Sequence, residues 1–192
     1  MTDSSDDPTA NVPIPHVALL RGVNVGGKNK LPMKELAALF VGEGCANVRT
    51  YIQSGNVVFD ATPALAATLP ERMPARIAER FGFRAPMVAR TAAEMERIVA
   101  GNPFLAAGVP ETALHVLFLA DQPEPDRVAT LDPDRSPPEA FVARGREIYL
   151  HAPNGLGRSK LTNDYFDRTL ATISTGRNWR TVTTLLGMMR DR

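Results

Sequence analysis

The residues of this chain that could do chemistry are cations and amides set among glycines. Four short blocks hold them: residues 20–33, 51–59, 157–163 and 175–182. Few acids interrupt them. In the first block Arg21, Asn24, Lys28, Asn29 and Lys30 stand around Gly22, Gly26 and Gly27. Glycines let successive backbone N–H groups turn toward one ligand, and basic side chains add charge, so the pattern suits an anion. In the second block Gln53, Ser54 and Asn56 offer neutral donors and acceptors to a base, a sugar or a carbonyl. In the third, Arg158 and Lys160 stand at the N-terminus of an expected helix, where the dipole favours phosphate. In the fourth, Arg177 and Asn178 precede the apolar face of the last expected helix and are freer to act than it is.

Each block also has a plainer reading. The first is equally a glycine-rich crossover loop with solvated lysines. Ser54 and Gly55 make a good turn. Ser159 is better placed to cap a helix than to act as a nucleophile. Trp179 shares one helical face with Val182, Leu186 and Met189, which is a core pattern. Residues 22–29 come near a phosphate-binding P-loop, but two features argue against it. Asn29 stands where a Ser or Thr hydroxyl should reach magnesium, and Pro32 delays the helix start well beyond Lys28.

The elements that must position these blocks follow from periodicity. Residues 16–21 form a short apolar run, a strand signal, and Pro32 suits a first helical position ahead of Met33, Leu36, Phe40 and Val41. Residues 48–52 and 57–60 read as a hairpin closed by residues 53–56. Residues 65–81 carry a helical stripe, and Pro70 and Pro74 predict a broken helix with its regular part from Pro74. Residues 85–90 read as a fourth strand. The order β-α-β-β-α-β is the split βαβ, or ferredoxin-like, pattern. Its first and second strands are parallel, which brings the loop after the first beside Gln53, Ser54 and Asn56.

A helix at residues 91–100, with Thr91 and Glu94 as a capping box, links this half to a second. There a strand at 113–120, a short helix at 124–131, a hairpin about 144–146 and helices at 159–170 and 178–190 give β-α-β-β-α-α. No residue-level repeat is visible; the duplication rests on element order.

Composition narrows the function classes. The net charge is +1 over 192 residues, milder than a dedicated duplex-binding domain shows. His16, His115 and His151 have no metal-ligand spacing, so no metal is expected. Cys45, alone, forms no internal disulfide and has no histidine partner, so it reads as inert. No apolar run approaches a membrane span, and the acidic N-terminus is not a signal peptide. The expected location is the cytoplasm.

The four blocks together resemble the bacterial family catalogued as domain of unknown function 1697. Its leucine-arginine-glycine-(Ile/Val)-asparagine-valine-glycine-glycine stretch matches residues 20–27. Its tyrosine-isoleucine-glutamine-serine-glycine-asparagine block matches residues 51–56, and two late blocks match residues 157–160 and 177–179. The resemblance covers roughly residues 15–190 and implies two ferredoxin-like α+β subdomains. It implies no activity, cofactor or functional residue. The chain departs from it at Arg180, often asparagine in the family, and at Pro70 and Pro74.

The expectation is therefore an α+β protein: an acidic tail at 1–14, a ferredoxin-like subdomain at 15–91, a linking helix and loop at 92–112 and a second ferredoxin-like subdomain at 113–192. The leading function is binding of a phosphate-bearing ligand, a nucleotide or single-stranded nucleic acid, in a cleft between the halves. A small-molecule enzyme using the same cleft, with Asp60 or Asp164 as its carboxylate, is the second reading. An interaction module whose loops make only local turn contacts is the third. No catalytic residue or cofactor is named by the sequence.

Overall fold

The structure, a computed structural model, describes residues 11–191. Most of the expected acidic tail, residues 1–10, lies outside the described residues. The first strand, β1 (Ile14–Leu20), leads through a long loop to α1 (Met33–Gly42). The hairpin β2 (Ala46–Tyr51) and β3 (Asn56–Ala61), helix α2 (Pro63–Phe81) and strand β4 (Met87–Thr91) follow. Every paired neighbour is antiparallel, in the order β2-β3-β1-β4. Thus β1 and β2 run parallel but are held apart by β3.

Alternation along the strands decides what each face covers. Ala18 and Leu20 of β1, Val57 and Phe59 of β3 and Met87 of β4 pack under Leu36 and Phe40 of α1 and Leu69, Met73 and Ile77 of α2. The expected break in α2 does not occur. The helix is continuous through Pro70 and Pro74. Two interior prolines cost about 6 kcal/mol together. Burying Leu69, Met73 and Ile77 returns on the order of 1.5–3 kcal/mol each, which is enough to offset them. Thr62 caps the start, its Oγ1 accepting from Leu65 N at 3.2 Å, with Pro63 at the first helical position.

After α3 (Ala92–Ala100) and the short α4 (Pro103–Ala106), the order recurs: β5 (Leu114–Leu119), α5 (Pro125–Ala129), β6 (Ala140–Arg144), β7 (Glu147–His151), α6 (Asn163–Leu170), β8 (Ser174–Asn178) and α7 (Trp179–Arg190). The second sheet is ordered β6-β7-β5-β8, again antiparallel throughout. Strand β8 is absent from the sequence expectation, because Ser174, Thr175 and Arg177 are polar yet buried. No hydrophobic alternation marks them.

The register supplies the residue-level repeat that sequence reading did not find. His16-Val17 of β1 and His115-Val116 of β5 lie in strands with the same pairing: Val17 pairs with Arg90 of β4, and Val116 with Arg177 of β8. Both arginines are buried, at 2% and 9% exposure. Each donates from Nη1 to the carbonyl of the residue before it, Ala89 at 2.8 Å and Gly176 at 2.7 Å. A helix follows each at once.

Two compact units result. Unit 1 runs to Ala92 and also holds the chain from Met188 onward; unit 2 is Ala93–Gly187. In unit 1, Arg49 of β2 donates through Nη2 to the carbonyls of Met188 and of Asp191, the latter at 3.0 Å. Among the described residues no helix is long and apolar enough to cross a membrane.

Candidate functional site

The loop after β1 is a small hairpin built on itself. Gly26 and Gly27 both have positive φ, 58° and 76°, as the two central residues of a type I′ turn require. Lys28 N donates to Val25 O and Asn24 N to Asn29 O, each at 3.0 Å. Asn24 and Asn29 also have positive φ, 53° and 51°, a region asparagine tolerates better than most residues.

Their carboxamides are committed. Asn24 Nδ2 donates to Leu31 O at 2.9 Å and to Gln53 O at 2.8 Å, while its Oδ1 accepts from Leu31 N at 2.8 Å. Asn29 Nδ2 donates to Gly22 O at 2.9 Å. These side chains form the loop. The sequence signal for that role was the asparagine itself, a residue suited to left-handed backbone.

One bond from Asn24 therefore ties this loop to the turn between β2 and β3. The tie is reinforced by Leu20 N, which donates to Gly55 O at 2.9 Å. Gly55 cannot be replaced cheaply: a Cβ there would lie 2.7 Å from Val23 Cγ2 and 2.8 Å from Leu20 Cβ. Asn56, expected to read a ligand, is fully buried and donates through Nδ2 to Tyr51 O at 3.1 Å. It closes the turn from within.

What the edge presents to solvent is a different set. Lys28, Lys30 and Gln53 are exposed. Among the described residues the two ammonium groups and the Gln53 carboxamide have no hydrogen-bond or ion-pair partner. Arg21 and Ser54 are half-buried. Sequence reasoning missed Val25 and Ile52, which stand 66% and 50% exposed on the two joined loops. Ile52 has φ of 47°. A β-branched residue there is a genuine outlier, with a strain of about 1–3 kcal/mol.

Unit 2 gives an internal comparison for this edge. There, residues 120–124 join the first strand to its helix, against 21–32 in unit 1, and Gly145 and Arg146 alone close the hairpin, against 52–55. Both unit 1 loops are longer than closing the same fold requires.

The second set of expected contacts is arranged otherwise. Helix α6 begins at Asn163, capped by Thr162, whose Oγ1 accepts from Tyr165 N at 3.2 Å. Ser159 therefore does not cap it. Its hydroxyl donates to Glu139 and accepts from Leu161 N at 3.0 Å. Arg158 and Lys160 are exposed in the loop before α6 and not in its first turn.

Arg177 is not free to act. It is a strand residue, its Nη1 also donates to Thr175 Oγ1 at 2.9 Å, and burial lowers its pKa to about 10. Asn178 caps α7, its Oδ1 accepting from Thr181 N at 2.8 Å. Trp179, expected in the core, is 1% exposed. Cys45 is buried, and burial, with Glu43 nearby, pushes its thiol up to about 11.

A family model described as "Protein of unknown function (DUF1697)" matches residues 14–149. The chain belongs to this family. The DUF1697 match includes both joined loops and ends within β7. A solved structure, that of the conserved bacterial protein SP0830 from Streptococcus pneumoniae, superimposes with a TM-score of 0.71 at 21% identity. The alignment covers 93% of this chain and 99% of that one, which shows a shared fold. No curated protein matches the chain.

Proposed function

We propose that the joined loops of unit 1 bind a phosphate-bearing ligand, a nucleotide or single-stranded nucleic acid. The observation that carries this reading is the pair of lengthened loops, bridged by Asn24 and presenting Lys28 and Lys30 without partners. A loop already held by its own hydrogen bonds loses little backbone freedom when its two ammonium groups meet phosphate. Gln53 supplies a neutral donor and acceptor beside them. The aliphatic faces of Val25 and Ile52 suit the flat face of a base or sugar. Arg158 and Lys160 of unit 2 remain candidates for further phosphate contacts. Each unit is, in this reading, a ferredoxin-like domain; element order and strand order support it.

An interaction module with purely local loops is disfavoured by the Asn24–Gln53 bond, which spans 29 positions of sequence. An enzyme is favoured by one observation. Asp60, nearly buried, accepts from Asn47 Nδ2 at 2.7 Å in a cleft of about 360 Å³ that Arg49 and Asp191 also line. Incubating the protein and its Asp60→Asn variant with a metabolite extract tests this. A compound consumed only by the former supports the enzyme.

The leading reading is tested by anisotropy titration of a labelled oligothymidine and of labelled ATP at several salt concentrations. The expected result is saturable binding that weakens steeply with salt. Lys28→Ala/Lys30→Ala should weaken it at least tenfold, lower the oligonucleotide salt slope by about 1.4 and leave the melting temperature nearly unchanged. Absence of binding by both probes, or unchanged binding by the double variant, overturns the reading.

A further inference from the structure

Unit 2 holds a cleft that the loops of unit 1 do not explain. It lies between α3 and the β6–β7 hairpin and has a volume of about 470 Å³. That is within the usual range for small-molecule sites. Three contacts pin hairpin to helix around it. Tyr149 donates its hydroxyl to Ile98 O at 3.1 Å, Arg144 Nη1 donates to Gly101 O at 2.8 Å, and Arg146 pairs with Glu94. Gly101 is required for this approach: a Cβ there would stand 2.9 Å from Arg97 O and 3.5 Å from the Tyr149 hydroxyl.

The charges in the cleft do not cancel. Arg97, Arg144 and Arg146 line it with only Glu94 and Glu147 as carboxylates. Arg146 has Glu94. Arg144 is anchored by a neutral carbonyl, and Arg97 makes only a long Nε contact to Ala93 O, at 3.4 Å. Among the described residues neither Arg97 nor Arg144 has an ion-pair partner. Both keep guanidinium donors that nothing else takes, and the planar fork matches a carboxylate or phosphate. Ile98 and Tyr149 add an apolar wall.

We infer that this cleft is a second ligand site, taking a small organic anion whose oxyanion group is held by Arg97 and Arg144 and whose carbon body lies on Ile98 and Tyr149. The anchor at Gly101 fixes the Arg144 guanidinium before the ligand arrives, which reduces the ordering cost of binding. The site is independent of the unit 1 loops.

The test is amide NMR of the full chain titrated separately with phenyl phosphate, benzoate and inorganic phosphate. The expected result is saturable shifts of the Gly101 and Gly145 resonances with phenyl phosphate, benzoate or both. Which of the two binds more tightly tells phosphate from carboxylate. Inorganic phosphate should bind at least tenfold more weakly. Arg97→Ala/Arg144→Ala, both at exposed positions, should abolish the shifts, and Lys28→Ala/Lys30→Ala should retain them. Failure of both organic probes to shift these resonances overturns the inference, as do shifts that survive in the arginine variant. Inorganic phosphate binding as tightly as phenyl phosphate removes the role given to Ile98 and Tyr149.

Discussion

At the residue scale, the strain at Ile52 sets stability against the proposed binding. Ile52→Asn places a residue tolerant of left-handed backbone at φ of 47° and should stabilise unit 1 by about 0.5–1 kcal/mol. It also removes the exposed aliphatic face, so affinity for the oligonucleotide should fall. Urea midpoints and anisotropy together check both halves of this prediction. His115 makes a separate one. Burial lowers its pKa below the ordinary 6.5, outweighing a backbone hydrogen bond with Ala113 that acts the other way. The neutral ring is thus the form that folding favours. Its contribution is fully present above pH 6.5 and is lost as pH falls toward the depressed folded value. Urea midpoints at pH 7.5 and 5 should differ less in His115→Asn than in the unchanged protein. The polar blocks were legible in the sequence because glycine, asparagine and lysine cluster there. Which of them face outward was not. Asn24, Asn29 and Asn56 look as available as Gln53 until their hydrogen bonds are known.

At the scale of elements, α2 shows packing overriding local preference. Pro70 is exposed in mid-helix, whereas Pro74 is buried. Pro70→Ala restores a donor toward the Ala66 carbonyl without disturbing the core, and should raise stability by about 1–3 kcal/mol in urea unfolding. Pro74→Ala restores a donor too but gives up packing, so its gain should be smaller. The apolar strands and helices were legible from periodicity, to within a residue or three. Strand β8 was not, because its buried side chains are Ser174, Thr175 and Arg177. Hydrophobic periodicity has no means of marking a strand whose buried residues are polar. The start of α6 was misplaced for a related reason: Ser159 and Thr162 are both good caps, and only the structure shows which one bonds to a helical amide.

At the scale of the molecule, unit 1 holds a segment that local sequence would assign elsewhere. The end of α7 belongs with unit 1, where Met189 is buried and Arg49 is held by the carbonyls of Met188 and Asp191. A chain ending at Gly187 leaves the Arg49 side chain without these acceptors and removes the buried Met189. It should lose about 3–5 kcal/mol of stability. Hydrogen exchange should quicken first in β2. Nothing in residues 15–91 signals this dependence, which is why the sequence placed a boundary there. The same arrangement orders events at the ribosome. Met188–Asp191 are translated after all of unit 2, so the first sheet emerges long before the residues that finish it. A nascent chain stalled anywhere in unit 2 should leave β2 open to protease, and protection should arrive only once the end of α7 has cleared the exit tunnel.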